Sequence, residues 1–362
     1  MLPYNQTDME KAGYRIIDAN FNRAREALRV IEDYCRFALN SAALAGRTKD
    51  LRHRLSSAIS KFDNNKLLAS RDTEGDIGIG QVAKITVERN EVADSLKAAC
   101  KRLPEALRVI TETIRPSNPG LATEIEQIRY AGYTLEKDVA IFADTRSRFA
   151  RVRLYVIISS GFSADIFPLT GKCIEGGADC IQLRAKNIDA DAYLAIASEF
   201  VKICKDSSVL SIINDRADIA IASGADGLHL GQHDLPVEQA RKLQLSPLII
   251  GKSTHSSSQL TSAIAESPTY VSLGPVFTTP TKPGTPPVTL DYVKHSLPIL
   301  KETGIHHVVI GGITLDNVDS VLKTGARTIA ISSAITTSAD PKAACQKFKD
   351  KIKAFVDKQD KI

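Results

Sequence analysis

A chain of 362 residues, 43% hydrophobic and 25% charged, has the length for two globular domains and an ordinary composition for each to bury a core of its own. With 47 Lys and Arg against 42 Asp and Glu, the net charge of +5 suits small anionic substrates and is too weak and dispersed for a nucleic-acid-binding face. No apolar run reaches the roughly 18 residues of a membrane span. The polar opening MLPYNQTDMEKAGYR has no secretory core, and six scattered cysteines without a C-x-x-C pair predict reduced thiols in a cytoplasmic protein.

The first half reads as helix throughout. Phe21, Ala24, Leu28, Ile31, Cys35 and Ala38 recur at spacings of three and four, which predicts one amphipathic helix over 13–40. Arg23, Arg25, Glu26, Arg29 and Glu32 occupy its other side. Further helices are predicted over about 42–62, 87–115 and 121–142, with the turn PSNPG (116–120) between the last two. With no strand-like alternation among them, the segment is expected to form a helical bundle. REALRVIED (25–33) returns as PEALRVITE (104–112), 79 residues later, which points to a duplicated helical hairpin. The apolar part of the repeat suits a core. Its Glu26/Arg29 and Glu105/Arg108 form either exposed pairs or two charged sets around a shared pocket. Between the hairpins, LLASRDTEGDIGIGQV (67–82) gathers Arg71, Asp72, Asp76 and three glycines. Such a loop either holds a phosphate with its Mg²⁺ or simply connects the hairpins. The absence of G-x-x-x-x-G-K-[ST] excludes a P-loop nucleotide site.

After a linker at about 140–152, the second half is a string of short apolar runs, each ending in a polar group. They are LYVIIS (154–159), CIQLRAK (180–186), SIIND (211–215), GLHLGQHD (227–234), LIIGKSTH (248–255), YVSLGPVFTTPTK (270–282), HVVIGGIT (307–314) and TIAISSAI (328–335). Most are separated by roughly 10–15 residues of helical pattern, as strands alternating with helices require. Eight such units predict a closed (β/α)8 TIM barrel, whose chemistry sits where the strands end. Those ends carry Gln182, Arg184, Lys186, Asn214, Asp215, Asp234, Ser253, Lys282, Gly312 and Ser333. Two carboxylates, several cations and a glycine turn at one mouth suit a metal, a pyrophosphate and a second phosphate. Alone, Asp215 would serve as a helix cap and Asp234 as a turn residue. Together, beside a cationic strand end, they favour a metal. His229 points into an apolar strand and reads as packed. His255 either touches substrate or is structural, and His306–His307 open a strand with no catalytic role expected.

Two resemblances follow from these motifs. RIIDANFNRAREALRVIEDYCRF (15–37), LRHRL (51–55), LLASRDTEGDIG (67–78) and the second EALRVI (105–110) resemble a helical domain fused ahead of thiamine-phosphate synthases. That domain is regarded as an alternative hydroxymethylpyrimidine-phosphate kinase. The resemblance implies that residues 1–145 use ATP to make the pyrophosphate that the barrel consumes. Arg23, Arg29, Arg71, Asp72 and Asp76 are the physical candidates for phosphate and metal contact. The competing reading is a dimerisation or docking module without chemistry.

Residues 146–362 resemble thiamine-phosphate synthase itself. The carriers are Gln182, Arg184 and Lys186 in Q-x-R-x-K, Asn214–Asp215, the A-D-G-x-H-x-G-Q-x-D block from Ala225 to Asp234, and Ser253 in GKSTH. Thr279, Thr281 and Lys282 in T-x-T-K, Gly312 in GGIT and the closing Ser333–Ile335 complete the set. Ser332 departs from the Val or Ile frequent at its position, a change of little weight where the backbone N–H makes the contact. The resemblance implies condensation of hydroxymethylpyrimidine pyrophosphate with a thiazole phosphate, releasing pyrophosphate by a dissociative path. Mg²⁺ on Asp215 and Asp234 would neutralise the leaving group from one side. Arg184, Lys186 and Lys282 would do so from the others, with Asn214 donating a hydrogen bond. Gln182 and Ser253 are implied in the pyrimidine site and Thr279 and Thr281 on the thiazole. The thiazole phosphate is implied on N–H groups around Gly312, Ser332 and Ser333. Small molecules are the expected partners, without nucleic acid or membrane, and a homo-oligomer is compatible. The rival is a thiazole tautomerase-like barrel with a non-catalytic helical dimerisation module. It would not need Arg184, Lys186, Asp215, Asp234 and Lys282 together, and neither would a non-catalytic sensor of thiamine phosphates.

Overall fold

The computed structural model describes residues 6–77, 91–160, 166–243, 246–279 and 286–359. The chain divides into two compact units, Met1–Ala140 and Ile141–Ile362.

The first unit is built from α1 (Gln6–Asp33), α2 (Ala42–Ile59), a short α3 (Asn64–Ala69), α4 (Val92–Ile114) and α5 (Pro119–Phe149), with the division between units falling inside α5. The two helices that carry the sequence repeat, α1 and α4, pack on one another. Leu28 and Ile31 of the first copy and Leu107 and Ile110 of the second are all buried, so the repeated stripe is the seam of the bundle. The Ser41 hydroxyl caps α2 and the Asp63 carboxylate caps α3, each accepting from backbone N–H groups of the first turn.

Two expectations for the first helix need correcting. The apolar stripe does not run on to Ala38, because Tyr34–Ala38 form a π-helical turn in which the Leu39 N–H donates to Tyr34 O at 3.1 Å. The wider turn shifts the phase of the helix by one residue, leaving Ala38 exposed and Leu39 buried. Glu32, expected on the polar side, is 5% exposed and accepts from Arg52 Nε of α2 at 3.0 Å. The stretch read as a linker is also helical as far as Phe149. The last part of the loop 67–82 and the predicted start of the third helix at 87 lie outside the described residues.

In the second unit eight strands alternate with helices. β1 (Leu154–Ser160), β2 (Cys180–Ala185), β3 (Leu210–Asn214), β4 (Gly227–Leu230), β5 (Ile249–Thr254), β6 (Tyr270–Leu273), β7 (His306–Ile310) and β8 (Ile329–Ile331) pair in parallel, each with the next, and β8 returns to β1. The connecting helices are α6 (Ile166–Glu175), α7 (Ala190–Asp206), α8 (Ala217–Ala222), α9 (Val237–Leu243), α10 (Ser257–Glu266), α11 (Thr289–Thr303), α12 (Val318–Leu322) and α13 (Ser333–Thr336), and α14 (Pro341–Gln359) follows. Alternation along the strands sorts side chains into two cores. Leu154, Val156, Ile181, Leu183, Ile213 and Val309 face outward into the helical layer. Tyr155, Ile157, Cys180, Ile212, Ile249, Tyr270 and Val308 fill the barrel. The end of α5 supplies the floor: the Phe149 ring stacks on Tyr270 at 4.4 Å and 3° and meets Tyr155 edge-on. At the same end, Asp179 accepts from the N–H groups of Arg153 and Leu154 at 2.8 and 2.9 Å. Asp226 accepts from Ser211 N at 3.0 Å and pairs with Arg148. Among the described residues no helix is long and apolar enough to cross a membrane.

Candidate active site

The C-terminal ends of the strands open into a cavity of about 590 Å³. Of the residues singled out in the barrel, Gln182, Arg184, Lys186, Asn214, Asp215, Asp234, Ser253, Thr279, Gly312, Ser332 and Ser333 line it. Thr281 and Lys282 lie outside the described residues.

The period-two geometry of β2 puts Gln182, Arg184 and Lys186 on one face, climbing from the barrel interior to its rim. Gln182 is buried, Arg184 half-buried and Lys186 exposed. At the end of β3, Asn214 is buried and Asp215 turns into the left-handed region with φ +62°. Asp is among the few residues that tolerate this conformation, which costs about 1–2 kcal/mol for an ordinary side chain. The turn is held by Asp215 N donating to His229 O at 2.8 Å. Asp215 does not cap α8, whose cap position is Arg216. It faces Lys186 Nζ at 3.8 Å instead. Asp234 does serve as a turn residue, since its Oδ2 accepts from Gly231 N at 2.6 Å, and it also lies against Asp215. Burial, and then the neighbouring Asp234 carboxylate, push the Asp215 carboxyl up to about 6, while Lys186 and Arg184 oppose the shift.

Across the cavity, Gly311 and Gly312 end β7 with φ +108° and +62°. A Cβ on Gly312 would stand 2.5 Å from Thr278 O and 2.8 Å from Phe277 Cβ, so only glycine fits. Asn317 braces the turn, with Nδ2 donating to Gly312 O at 2.9 Å and Oδ1 accepting from Thr314 N at 2.8 Å. The Ser332 hydroxyl donates to Ile157 O at 2.9 Å, which commits its side chain to the barrel wall, and its carbonyl accepts from Ile335 N and Thr336 N. Ser333 opens α13, and the first turn of a helix has N–H groups without intrahelical partners. The mouth therefore has a cationic and carboxylate side and a facing backbone-donor side, an arrangement that can hold two anionic groups at once.

Gln232, Gln259 and Ser272 escaped the motif reading, and two histidines weighed there also line the cavity. His229 is packed as expected, yet it also lines the cavity, with Nε2 3.0 Å from Ser253 Oγ. Gln232 donates to Ser253 O, and Gln259 Oε1 accepts from His255 N at 2.8 Å. His255 and Ser272 line the cavity too. Alternation along YVSL was the available signal for Ser272, and position within the G-Q-x-D block was the signal for Gln232. His306 and His307 are half-buried and structural: His306 Nε2 donates to Arg146 O at 3.0 Å, and His307 Nε2 accepts from Arg327 N at 2.9 Å.

The helical candidates fall differently. Arg71 grips Asp18 with two hydrogen bonds, Nε to Oδ2 at 2.7 Å and Nη2 to Oδ1 at 2.8 Å. Asp72 accepts from Gly75 N at 2.8 Å, and Arg15 pairs with both Asp72 and Asp76 at 3.6 and 3.8 Å. Arg23 and Arg29 are exposed farther along α1. A groove in this unit is lined by Lys101, Glu105, Arg108, Arg129, Tyr133 and Glu136, which includes the Glu and Arg of the second repeat but not those of the first.

Fold and cavity together define a closed β/α barrel with its polar groups gathered in one cavity at the strand ends, where proteins of this architecture carry their active sites. Comparison with known proteins takes this to a family. The thiamine monophosphate synthase family matches residues 154–335, and the ThiD2 family matches residues 15–138. A thiamine-phosphate synthase of Gloeobacter violaceus is 38% identical over 332 residues, 92% of this chain and 94% of its own. One of Nostoc punctiforme is 37% identical over 346 residues, 95% of each chain. Among solved structures, thiamine phosphate pyrophosphorylase from Pyrococcus furiosus superposes with a TM-score of 0.53 at 30% identity, covering 58% of this chain and 98% of that one. The chain belongs to the thiamine monophosphate synthase family, with a ThiD2-type helical unit ahead of the barrel, and is a transferase of thiamine biosynthesis.

Proposed function

We propose that the barrel joins a pyrimidinylmethyl pyrophosphate to a thiazole phosphate, giving thiamine phosphate and pyrophosphate. The observation that carries this is the convergence of Arg184, Lys186, Asp215 and Asp234 on one side of a single cavity, facing the Gly311–Gly312 turn and Ser333 on the other. In the reaction the methylene C–O bond breaks, pyrophosphate leaves with the bonding electrons, and the thiazole nitrogen lone pair forms the new C–N bond. Charge on the leaving group is the main obstacle, so Arg184, Lys186 and Lys282 bind and orient the pyrophosphate, and Asn214 donates a hydrogen bond to it. Gln182 and Ser253 hold the pyrimidine, and Thr279 and Thr281 sit on the thiazole. The N–H groups around Gly312, Ser332 and Ser333 take the thiazole phosphate. Fixing both substrates in one cavity replaces a bimolecular encounter with a positioned one.

Asp215 and Asp234 fit a Mg²⁺ ion. Two carboxylates held against each other, one with its proton affinity raised by burial and then by the other, are relieved by a divalent cation. Mg²⁺ commonly takes only one or two protein carboxylates, with substrate phosphate and water completing its shell. Bound there, the ion would neutralise pyrophosphate charge.

For the helical unit we propose an ATP-dependent kinase that phosphorylates hydroxymethylpyrimidine phosphate, a reading supported by the ThiD2 match over residues 15–138. Six buried thiols without disulfides support a cytoplasmic location. The test uses the full chain with Mg²⁺ and thiazole phosphate. One arm adds hydroxymethylpyrimidine pyrophosphate, the other its monophosphate with ATP. Thiamine phosphate in both arms is the expected result. Product only with the pyrophosphate would overturn the kinase, and product in neither would overturn the synthase.

A further inference from the structure

Beneath the cavity runs a buried line of polar groups that the proposed chemistry does not use. Gln182 Nε2 donates to Tyr155 Oη at 2.8 Å, and Tyr155 Oη lies 2.8 Å from Tyr270 Oη. Tyr270 Oη is 2.9 Å from His229 Nδ1, and His229 Nε2 is 3.0 Å from Ser253 Oγ. The line links β2, β1, β6, β4 and β5. Its two ends and His229 line the cavity, whereas Tyr155 and Tyr270, 1% and 0% exposed, do not.

One direction lets every group of the line donate to the next. The Gln182 amide nitrogen can only donate, so Tyr155 accepts there, and in this direction it passes its own proton to Tyr270. Tyr270 in turn donates to His229 Nδ1. A neutral imidazole accepting at Nδ1 carries its proton on Nε2 and donates it to Ser253 Oγ. Burial raises both phenols well above their ordinary range, which keeps them as O–H donors. The fold is shaped around this line. Phe149 stacks on Tyr270 from below. At Gly251 a Cβ would stand 2.4 Å from Tyr270 Oη and 2.6 Å from His229 Nδ1.

We propose that Tyr155, Tyr270 and His229 are positioning residues that lock Gln182 and Ser253 into one hydrogen-bond register, with the Ser253 hydroxyl proton aimed into the cavity as a donor to an acceptor atom of the pyrimidine. The inference rests on the synthase reading and adds Tyr155 and Tyr270, which lie behind the cavity wall, and His229, which joins them to Ser253. Directed chains of this kind hold a hydroxyl in one rotamer, where an isolated serine would share its proton among several acceptors.

The test is steady-state kinetics of the full chain and its Tyr155→Phe and Tyr270→Phe variants, each of which removes one oxygen. The expected result is a KM for the pyrimidine pyrophosphate raised about tenfold, the scale of one buried hydrogen bond, with the KM for thiazole phosphate unchanged. In a Ser253→Ala background the same Tyr270→Phe change is expected to cost less than about twofold, because its effect travels through Ser253. Unaltered constants in both variants, equal losses for both substrates, or a full loss in the Ser253→Ala background would overturn the relay. Those outcomes differ from an inactive wild-type protein, which overturns the synthase reading and the relay with it.

Discussion

The two units spend their charged side chains in opposite ways. In the helical unit the residues flagged for phosphate contact are paired with side chains of α1 or stand exposed: Arg71 with Asp18, Asp72 and Asp76 with Arg15. In the barrel the flagged residues come from separate strands and gather around one cavity, where Lys186, Asp215 and Asp234 meet one another across strand ends. The difference is topological. A closed parallel barrel brings every strand end to one mouth whatever the sequence between, so a polar residue at a strand end has its place fixed by position alone. A helix bundle offers no such point of convergence, and a polar residue on a helix face can be a site, an ion pair or a solvated surface.

The comparison breaks most visibly at the cationic side of the cavity. Asp215→Ala and Lys186→Ala, made separately, are expected to lower kcat/KM for thiamine phosphate formation by about 10²–10³-fold, as the loss of one preorganised charge does. The unfolding midpoint of Lys186→Ala should hardly move, since that side chain is exposed at the rim, whereas Asp215→Ala should lower it modestly because alanine tolerates the φ of +62° less well. Near-normal turnover in both would remove the pyrophosphate and metal assignments together.

A smaller effect is expected across the cavity. Gly312→Ala forces a Cβ onto Thr278 O in a backbone conformation that favours glycine. It should cost about 1–3 kcal/mol of stability and raise the KM for thiazole phosphate while sparing that of the pyrimidine partner. Denaturant titration and the two KM values check it, and equal changes in both KM values would contradict the proposed phosphate side.

Acid should act on the barrel floor. Burial lowers both His306 and His307 from 6.5 to about 4. The folded state keeps them neutral while the unfolded chain takes up protons near 6.5, so their contribution to stability is complete above about pH 6.5 and is lost as pH falls toward 4. Midpoints measured from pH 7.5 to 4.5 should fall, and His307→Asn should flatten the slope. An unchanged slope would show that the imidazole is not the group titrating.

The smallest effect belongs to the helical unit. The Arg71–Asp18 pair is half exposed on the Arg side and screened by solvent, so Arg71→Ala should barely move the unfolding midpoint and leave synthase turnover untouched. Loss of the ATP-dependent arm in a folded Arg71→Ala protein would return Arg71 to the phosphate and erase the contrast between the units.

How much could be read beforehand follows the same contrast. Apolar runs ending in polar residues located the strands and, through the barrel, the cavity-lining set from Gln182 to Ser333. Three-and-four spacing located α1, but the spacing could not show the π-turn that replaces Ala38 with Leu39 in the core. Nor could it show that Glu32 is buried, because its partner Arg52 arrives from another helix. The relay was hidden for a similar reason. Tyr155 and Tyr270 look like strand aromatics, and only closure of the barrel brings their hydroxyls together between Gln182 and His229.

The central claim is that the barrel makes thiamine phosphate, and the direct measurement is product analysis with purified full chain, Mg²⁺, hydroxymethylpyrimidine pyrophosphate and thiazole phosphate. Thiamine phosphate and pyrophosphate appearing in equal amounts is the predicted result. Isomerisation of the thiazole phosphate with no pyrophosphate released would contradict it and leave a tautomerase.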